Sequence, residues 1–80
     1  MPTVLRRAGF TVRIYLNDHP PPHVHVTGAS GETRIALGDD TVGPFHITIV
    51  GLTRSEAAAA LRIVRENIDL CRARWKEVHG

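Results

Sequence analysis

Four short stretches of the chain alternate apolar and polar side chains, which predicts a sheet with one buried face. They cover residues 10–16, 23–27, 33–37 and 45–50. In the second stretch Val24 and Val26 are expected to point inward, while His23 and His25 point to solvent, because successive strand residues face opposite sides. In the last stretch one face is expected to carry Phe45, Ile47 and Ile49. Glycine- and proline-rich turns separate the stretches, so a mainly antiparallel sheet of three or four strands is predicted over residues 3–50.

Residues 53–78 show the helical period instead. Thr53 is followed three residues later by Glu56, which is the signature of a capping box at a helix start. Apolar side chains then recur every three or four residues as far as Val78. The sequence therefore predicts an α+β fold in a single domain of residues 1–80, with one long C-terminal helix packed on one face of the sheet.

This helix is longer than the sheet can cover. A helix over residues 54–78 would span about 38 Å, against about 20 Å for strands of five or six residues. Ile63 and Leu70 lie off the main apolar stripe, and Trp75 is a candidate core or interface anchor. These three residues are predicted to contact a second copy or a partner protein, unless the helix bends or ends early near Arg72.

Length, charge and cysteine content exclude several classes of protein. Eighty residues leave no room for a multidomain enzyme. Ten Lys+Arg against eight Asp+Glu give a net charge of +2, which is too small to indicate nucleic acid by itself. The single Cys71 allows neither an intrachain disulfide nor a cysteine-based zinc finger, and no apolar run is long enough for a membrane span. A cytoplasmic location without membrane association is expected.

Three of the five histidines fall within seven positions, at His19, His23 and His25. On one strand His23 and His25 would have Cα atoms about 6.5 to 7 Å apart, from which two imidazoles can converge on one ion. Two ligands do not make a metal site, and further donors would have to come from His19, Asp18 or His46. No metal or other cofactor is expected, and the candidate ligands if a metal binds are His19, His23 and His25.

A second interpretation of the same residues needs no metal. His23 and His25 could act as proton donor and acceptor near neutral pH, and the same face would carry Arg13, Tyr15 and Arg34 as phosphate-binding residues. RNA supplies its own nucleophile in the 2′-hydroxyl, so a metal-independent, ribonuclease-like reaction would need only proton transfer and phosphate stabilisation. The alternative is a polar outer strand face without catalytic function.

Three segments of the chain are familiar in combination: the start Met-Pro-Thr-Val-Leu-Arg, Asn-Asp-His followed by Pro-Pro-His-Val-His-Val, and Gly-Leu-Thr-Arg at the helix start. Through these segments the sequence resembles a known family, the small bacterial domain-of-unknown-function family 4160. The matched motif positions are Asp18, His19, Pro21, Pro22, His23 and His25. The resemblance implies a component of a two-gene module of the toxin-antitoxin kind, with a small protein encoded by a neighbouring gene as partner. It implies no catalytic role for any of these residues.

Three hypotheses follow from the sequence. The first is a toxin-antitoxin-like component that contacts nucleic acid, RNA or DNA, through the histidine- and arginine-bearing face. The second is a non-enzymatic module that forms a homodimer, or binds its neighbour as an antitoxin or regulator. The third is a metal-binding domain built on the histidine cluster.

Overall fold

The structure is a computed structural model that describes residues 3–80. It contains five strands and two helices in the order β1 Thr3–Arg7, β2 Phe10–Arg13, β3 His23–Thr27, β4 Glu32–Ala36, β5 Phe45–Val50, α1 Arg54–Glu66 and α2 Ile68–His79. The predicted α+β class is confirmed. The predictions of three or four strands and of one long helix are both wrong.

The five strands form one antiparallel sheet in which each strand pairs with its neighbours in sequence. The strand missing from the sequence prediction is β1, which joins β2 through Ala8 and Gly9, both with positive φ. Such a two-residue turn normally carries asparagine, aspartate or glycine at its first position, so alanine gives little sequence signal for it. Strand β2 also ends at Arg13 rather than at Leu16, although Ile14 remains buried in the core.

The last strand does not alternate as expected. Its pairing register shifts between Arg34 and Ile35, because Ile47 is an extra residue opposite β4. Phe45 therefore pairs with Ala36 on one face, and Ile49 pairs with Thr33 on the other. The prediction that Phe45, Ile47 and Ile49 share a buried face is wrong.

The core lies between one face of the sheet, here called the inner face, and the two helices. The inner face contributes Val12, Val24, Val26 and Ile35, all completely buried. The helices contribute Ala60, Ile63, Val64, Cys71 and Trp75. Burial raises the pKa of the Cys71 thiol to about 11, so this cysteine is an unreactive core residue.

The helical region begins as predicted but is divided in two. Thr53 accepts a hydrogen bond from the Glu56 backbone N–H, and Glu56 accepts one from the Thr53 backbone N–H, which completes the capping box. Helix α1 ends at Glu66, because Asn67 leaves helical geometry with φ −122° and ψ 28°. Its side-chain amide donates to the Ile63 carbonyl at 2.8 Å, a local bond that competes with helix continuation. The break divides the region into two shorter helices, and α2 packs Cys71 and Trp75 into the same core.

This break also changes the predicted helix interface. Ile63 and Trp75 are only 5% and 8% exposed and belong to the protein's own core. Leu70 is 41% exposed. The three residues therefore do not form one exposed surface, and Ile63 and Trp75 are not available to a second chain. Within residues 3–80 neither helix has the length and apolar content that a membrane crossing requires.

The turn between β3 and β4 packs tightly against the end of β5, and this contact yields a stability prediction. A Cβ atom added at Gly31 would overlap the Val50 carbonyl oxygen and lie 2.7 Å from the Gly51 backbone. We expect Gly31→Ala to lower the free energy of unfolding by roughly 1–3 kcal/mol, measured by denaturant titration. Gly43→Ala is the control, because nothing lies within 4 Å of its added Cβ. Equal stabilities of the two variants would contradict this packing.

Candidate functional site

The face of the sheet opposite the helices, here called the outer face, carries a row of basic side chains across three strands. Strand pairing places Arg13 of β2 opposite His25 of β3, and His25 opposite Arg34 of β4. Directly paired residues of antiparallel strands have Cα atoms about 4.5–5.5 Å apart and side chains on the same face. The structure thus brings together Arg13, His25 and Arg34, as the sequence predicts.

The loop of residues 14–22 contacts the middle of this row, at His25. Within it, the Tyr15 backbone N–H donates to Asp18 Oδ2 at 2.9 Å and the Asp18 N–H donates to the Tyr15 carbonyl at 3.1 Å. The Asp18 carboxylate in turn reaches His25, whose Nε2 lies 3.0 Å from Oδ1 and 3.2 Å from Oδ2. The Tyr15 ring packs edge-on against the His25 ring at 4.8 Å between centroids.

His23 completes a compact cluster with these two side chains. Its Nδ1 lies 3.0 Å from the Pro21 carbonyl oxygen, and its Nε2 lies 3.6 Å from Asp18 Oδ1. The His23 ring is 5.1 Å from the His25 ring and 5.5 Å from Trp75, between centroids. We call Asp18, His23 and His25 the Asp-His-His cluster.

This cluster is much less exposed than the sequence indicates. The side chains of Asp18, His23 and His25 are 11%, 10% and 17% exposed. The prediction that the second strand presents its histidines to solvent is therefore wrong for His23, which is counted with the buried residues. The physical reason is the loop of residues 14–22 on one side and Trp75 of α2 on the other.

The Asp18 carboxyl is held in its charged form. Its partial burial raises the pKa, but this effect is outweighed by the Tyr15 backbone hydrogen bond, the His25 hydrogen bond, and the positive charges that His25 and His23 can carry. The net result is a pKa of Asp18 below its ordinary value. An ionised carboxylate therefore faces the two imidazoles at neutral pH.

His19 and His46, which the sequence suggests as further metal ligands, lie outside the Asp-His-His cluster. His19 is exposed and is not one of the residues whose donor atoms converge on the cluster. His46 belongs to β5, and β4 separates that strand from β3. Its Nδ1 lies 2.7 Å from Thr33 Oγ1 on the inner face. This strand order excludes His46 from a site with His23 and His25.

Sequence reasoning missed two contributors to the outer face. Asp18 was noted as a motif position and a possible ligand, but its hydrogen bond to His25 depends on a loop conformation that no periodicity reveals. Phe45 is predicted to share a face with Ile47 and Ile49, yet it pairs with Ala36 on the outer face, opposite to the face of Ile49, and is 49% exposed. Tyr15, which was predicted, is 38% exposed.

The arrangement is chemically suited to binding phosphate and a metal ion. Arginine guanidinium groups bind phosphate oxygens through paired hydrogen bonds. The donor atoms of the Asp-His-His cluster all lie within 4.8 Å of one another. Among residues 3–80, this cluster is the group of three or more side chains that could together hold a metal ion. A carboxylate beside an imidazole can also orient a base.

Comparison with known proteins gives one match. A family model described as a domain of unknown function (DUF4160) matches residues 9–76, which include the whole outer face from Phe10 onward and most of both helices. No curated protein and no solved structure matches the chain significantly.

The lowered pKa of Asp18 predicts a pH-dependent contribution to stability. A carboxyl whose pKa is lower in the folded than in the unfolded chain stabilises the fold above its unfolded pKa, and that stabilisation is lost as the pH falls through the folded pKa. We therefore expect the wild type to be more stable than Asp18→Asn at about pH 6, with the difference shrinking below about pH 4. Denaturant unfolding at both pH values, with a chelator present, measures it. The control is Asp40→Asn, at a fully exposed side chain. A difference that does not change with pH would contradict the prediction.

Proposed function

The chain belongs to the DUF4160 family of domains of unknown function, and we propose that its outer face binds the phosphate groups and bases of single-stranded RNA. The observation that carries the proposal is the row of Arg13, His25 and Arg34 across three adjacent strands. The proposal keeps the nucleic-acid-binding part of the first sequence hypothesis, because the row of basic side chains supports binding directly.

Both arginines of the row are available to a ligand. Within residues 3–80 neither Arg13 nor Arg34 forms a salt bridge, and Arg34 is exposed while Arg13 is half-buried. Glu32 lies two residues from Arg34 on the same face and is exposed to solvent. It restricts the basic area to the part of the face nearer His25. Two guanidinium groups on either side of His25 suit successive phosphates of a flexible strand.

Exposed aromatic rings on the same face favour single-stranded nucleic acid over a duplex. Tyr15 and Phe45 lie on either side of the row, Tyr15 after β2 and Phe45 on β5. Bases of single-stranded RNA stack on aromatic side chains of open sheet faces, and the stacking tolerates many sequences. Because both helices pack on the inner face, this surface is open except where residues 14–22 and Trp75 cover His23.

The ribonuclease-like reaction expected from the sequence stays a prediction. The geometry reduces its candidate proton-transfer residues from two histidines to one. His23 is buried and its Nδ1 is engaged by Pro21, so it is a poor candidate for contact with a polymer substrate. His25 borders the arginine row and is oriented by Asp18, so proton transfer to RNA would fall to His25. The toxin-antitoxin role and the cytoplasmic location also remain predictions.

The RNA proposal is tested by removing both arginines of the row. We expect Arg13→Ala/Arg34→Ala to weaken binding of a single-stranded oligoribonucleotide by roughly tenfold or more and to reduce the slope of log K against log salt by about 1.4, for two phosphate contacts. Fluorescence anisotropy at several salt concentrations measures both quantities.

The control for this test removes the same charge elsewhere. Arg62→Ala/Arg65→Ala changes the net charge equally on the exposed side of α1, and it should leave binding nearly unchanged. Equal losses in the two double variants would show non-specific attraction and refute the proposed surface. Equal affinity for DNA of the same sequence would refute the preference for RNA.

A second candidate function, the interaction module, is favoured by the exposed edge of the sheet. Strand β5 ends the sheet and pairs only with β4 among the described strands. It exposes Phe45, Ile47, Ile49 and Val50 by 44–64% and carries no charged residue or proline. Uncharged apolar edge strands readily pair with a strand of another chain. This edge, rather than the predicted helix surface, is the place where a second copy or the neighbouring gene's product would bind.

This candidate predicts that one charge on β5 prevents assembly. Ile47→Lys should convert an oligomer, or a complex with the neighbouring gene's product, to a monomer, because lysine on an edge strand disfavours strand addition. Light scattering after size exclusion measures the mass. Leu16→Lys is the control, since Leu16 is 84% exposed in a loop away from β5. A wild-type monomer both alone and with the neighbouring product would refute this function.

A further inference from the structure

From the geometry of the Asp-His-His cluster we infer that the protein binds one divalent transition-metal ion, of the zinc class, through Asp18, His23 and His25. The sequence favoured His19, His23 and His25 as candidate ligands and expected no metal. In the structure Asp18, rather than His19, lies beside His23 and His25, so the donor set has two nitrogens and one oxygen. The inference stands on this geometry alone and does not depend on RNA binding.

The distances within the cluster already approach those of a metal site. Ligands about 2.0–2.1 Å from a tetrahedral zinc ion are separated from one another by about 3.3 Å. Asp18 Oδ1 lies 3.0 Å from His25 Nε2 and 3.6 Å from His23 Nε2, so the two distances bracket that value. The three donor atoms all lie within 4.8 Å of one another, so the His23 and His25 nitrogens need to approach each other by at most about 1.5 Å to share the ion.

The hydrogen bonding of His23 supplies an independent argument for a cation. A carbonyl oxygen can only accept, so His23 Nδ1 must donate its proton to Pro21. In the neutral imidazole Nε2 is then an acceptor, and it faces Asp18 Oδ1, which is also an acceptor, at 3.6 Å. A cation between these two acceptors, either a proton or a metal ion, would satisfy both of them.

The surroundings of the cluster match those of known metal sites and favour the metal over the proton. Metal-binding histidines usually donate their second ring N–H to a carbonyl or carboxylate, which fixes the ring orientation, and His23 does so to Pro21. Ligating carboxylates are themselves hydrogen-bonded, as Asp18 Oδ2 is by the Tyr15 N–H. A hydrogen bond from His23 Nε2 to Asp18 Oδ1 would span 3.6 Å between nitrogen and oxygen, which is longer than an ordinary hydrogen bond, whereas a metal ion would contact both atoms.

The ligand set determines the class of metal and one consequence for His25. Two imidazoles and one carboxylate suit zinc, cobalt or iron(II), whereas magnesium and calcium prefer oxygen ligands. Three protein ligands leave a fourth position open to water or another small ligand. The metal would take the place of the proton between His25 Nε2 and Asp18, so metal binding and proton transfer by His25 Nε2 are mutually exclusive.

The inference is tested with tag-free full-length protein freed of metal by a chelator. Co²⁺ should bind with a stoichiometry of one per chain and give visible d–d absorption, and excess Zn²⁺ should displace it and raise the melting temperature. Asp18→Asn, His23→Gln and His25→Gln should each weaken Zn²⁺ binding by at least about tenfold, measured by calorimetry. His19→Gln and His46→Gln are matched controls and should bind as the wild type does.

A second measurement keeps the test decisive where a ligand variant fails to fold. Zn²⁺ added to ¹⁵N-labelled wild-type protein should shift the ring nitrogens of His23 and His25 but not that of His46. No stoichiometric binding by the folded wild type would overturn the inference, as would an equal loss of affinity in His19→Gln and His23→Gln. Arg13→Ala/Arg34→Ala should retain the metal, so failure of RNA binding and failure of metal binding are distinguishable.

Discussion

Asp18 and His25 come from separate parts of the chain, and the hydrogen bond of 3.0 Å between them fixes where the loop after β2 lies. This bond adds to the packing of the Tyr15 ring on His25 and to the turn that Tyr15 and Asp18 close within the loop. With it, the loop encloses His23, positions Tyr15 against His25, and brings a carboxylate to two imidazoles. The site therefore depends on a contact between a loop and a strand. Neither Asp18 nor His25, which make this contact, belongs to the hydrophobic core.

The one-sided packing of the sheet makes such a site possible in so short a chain. Both helices are needed to cover the inner face, where side chains such as Val24 and Ile35 are completely buried. Apart from the loop of residues 14–22 and Trp75, which cover His23, no element among residues 3–80 covers the outer face, so exposed polar side chains such as Arg34 cost little desolvation there. The helical region is divided at Asn67, and its second helix, α2, also packs on the core. Helix α2 contributes Trp75 both to the core and to the contact with His23.

The parts of the fold that the sequence predicts are those set by local periodicity. The alternation in residues 23–27 assigns the faces of β3 correctly, and Thr53 with Glu56 marks the helix start. Three features have no periodic signal: β1, whose turn uses Ala8; the extra residue Ile47 in β5; and the break at Asn67, where one side chain bonds the helix backbone. For the site, Arg13, His25 and Arg34 follow from strand faces alone. The role of Asp18 requires the loop conformation.

Because His23 is buried, the Asp-His-His cluster and the exposed surface beside it are suited to different ligands. A polymer such as RNA can reach Arg34 and Tyr15, which are exposed, but not a side chain enclosed by a loop and a tryptophan. A small ion can reach that position, and it gains more from low exposure, because electrostatic attraction is stronger where water is scarce. On the two proposals made above, the same few residues of β3 would bind two kinds of ligand at different depths. His25 is the one side chain common to both, since it lies in the arginine row and also in the Asp-His-His cluster. A ligand on the outer face and an ion in the cluster would consequently influence each other through the orientation of this one imidazole ring.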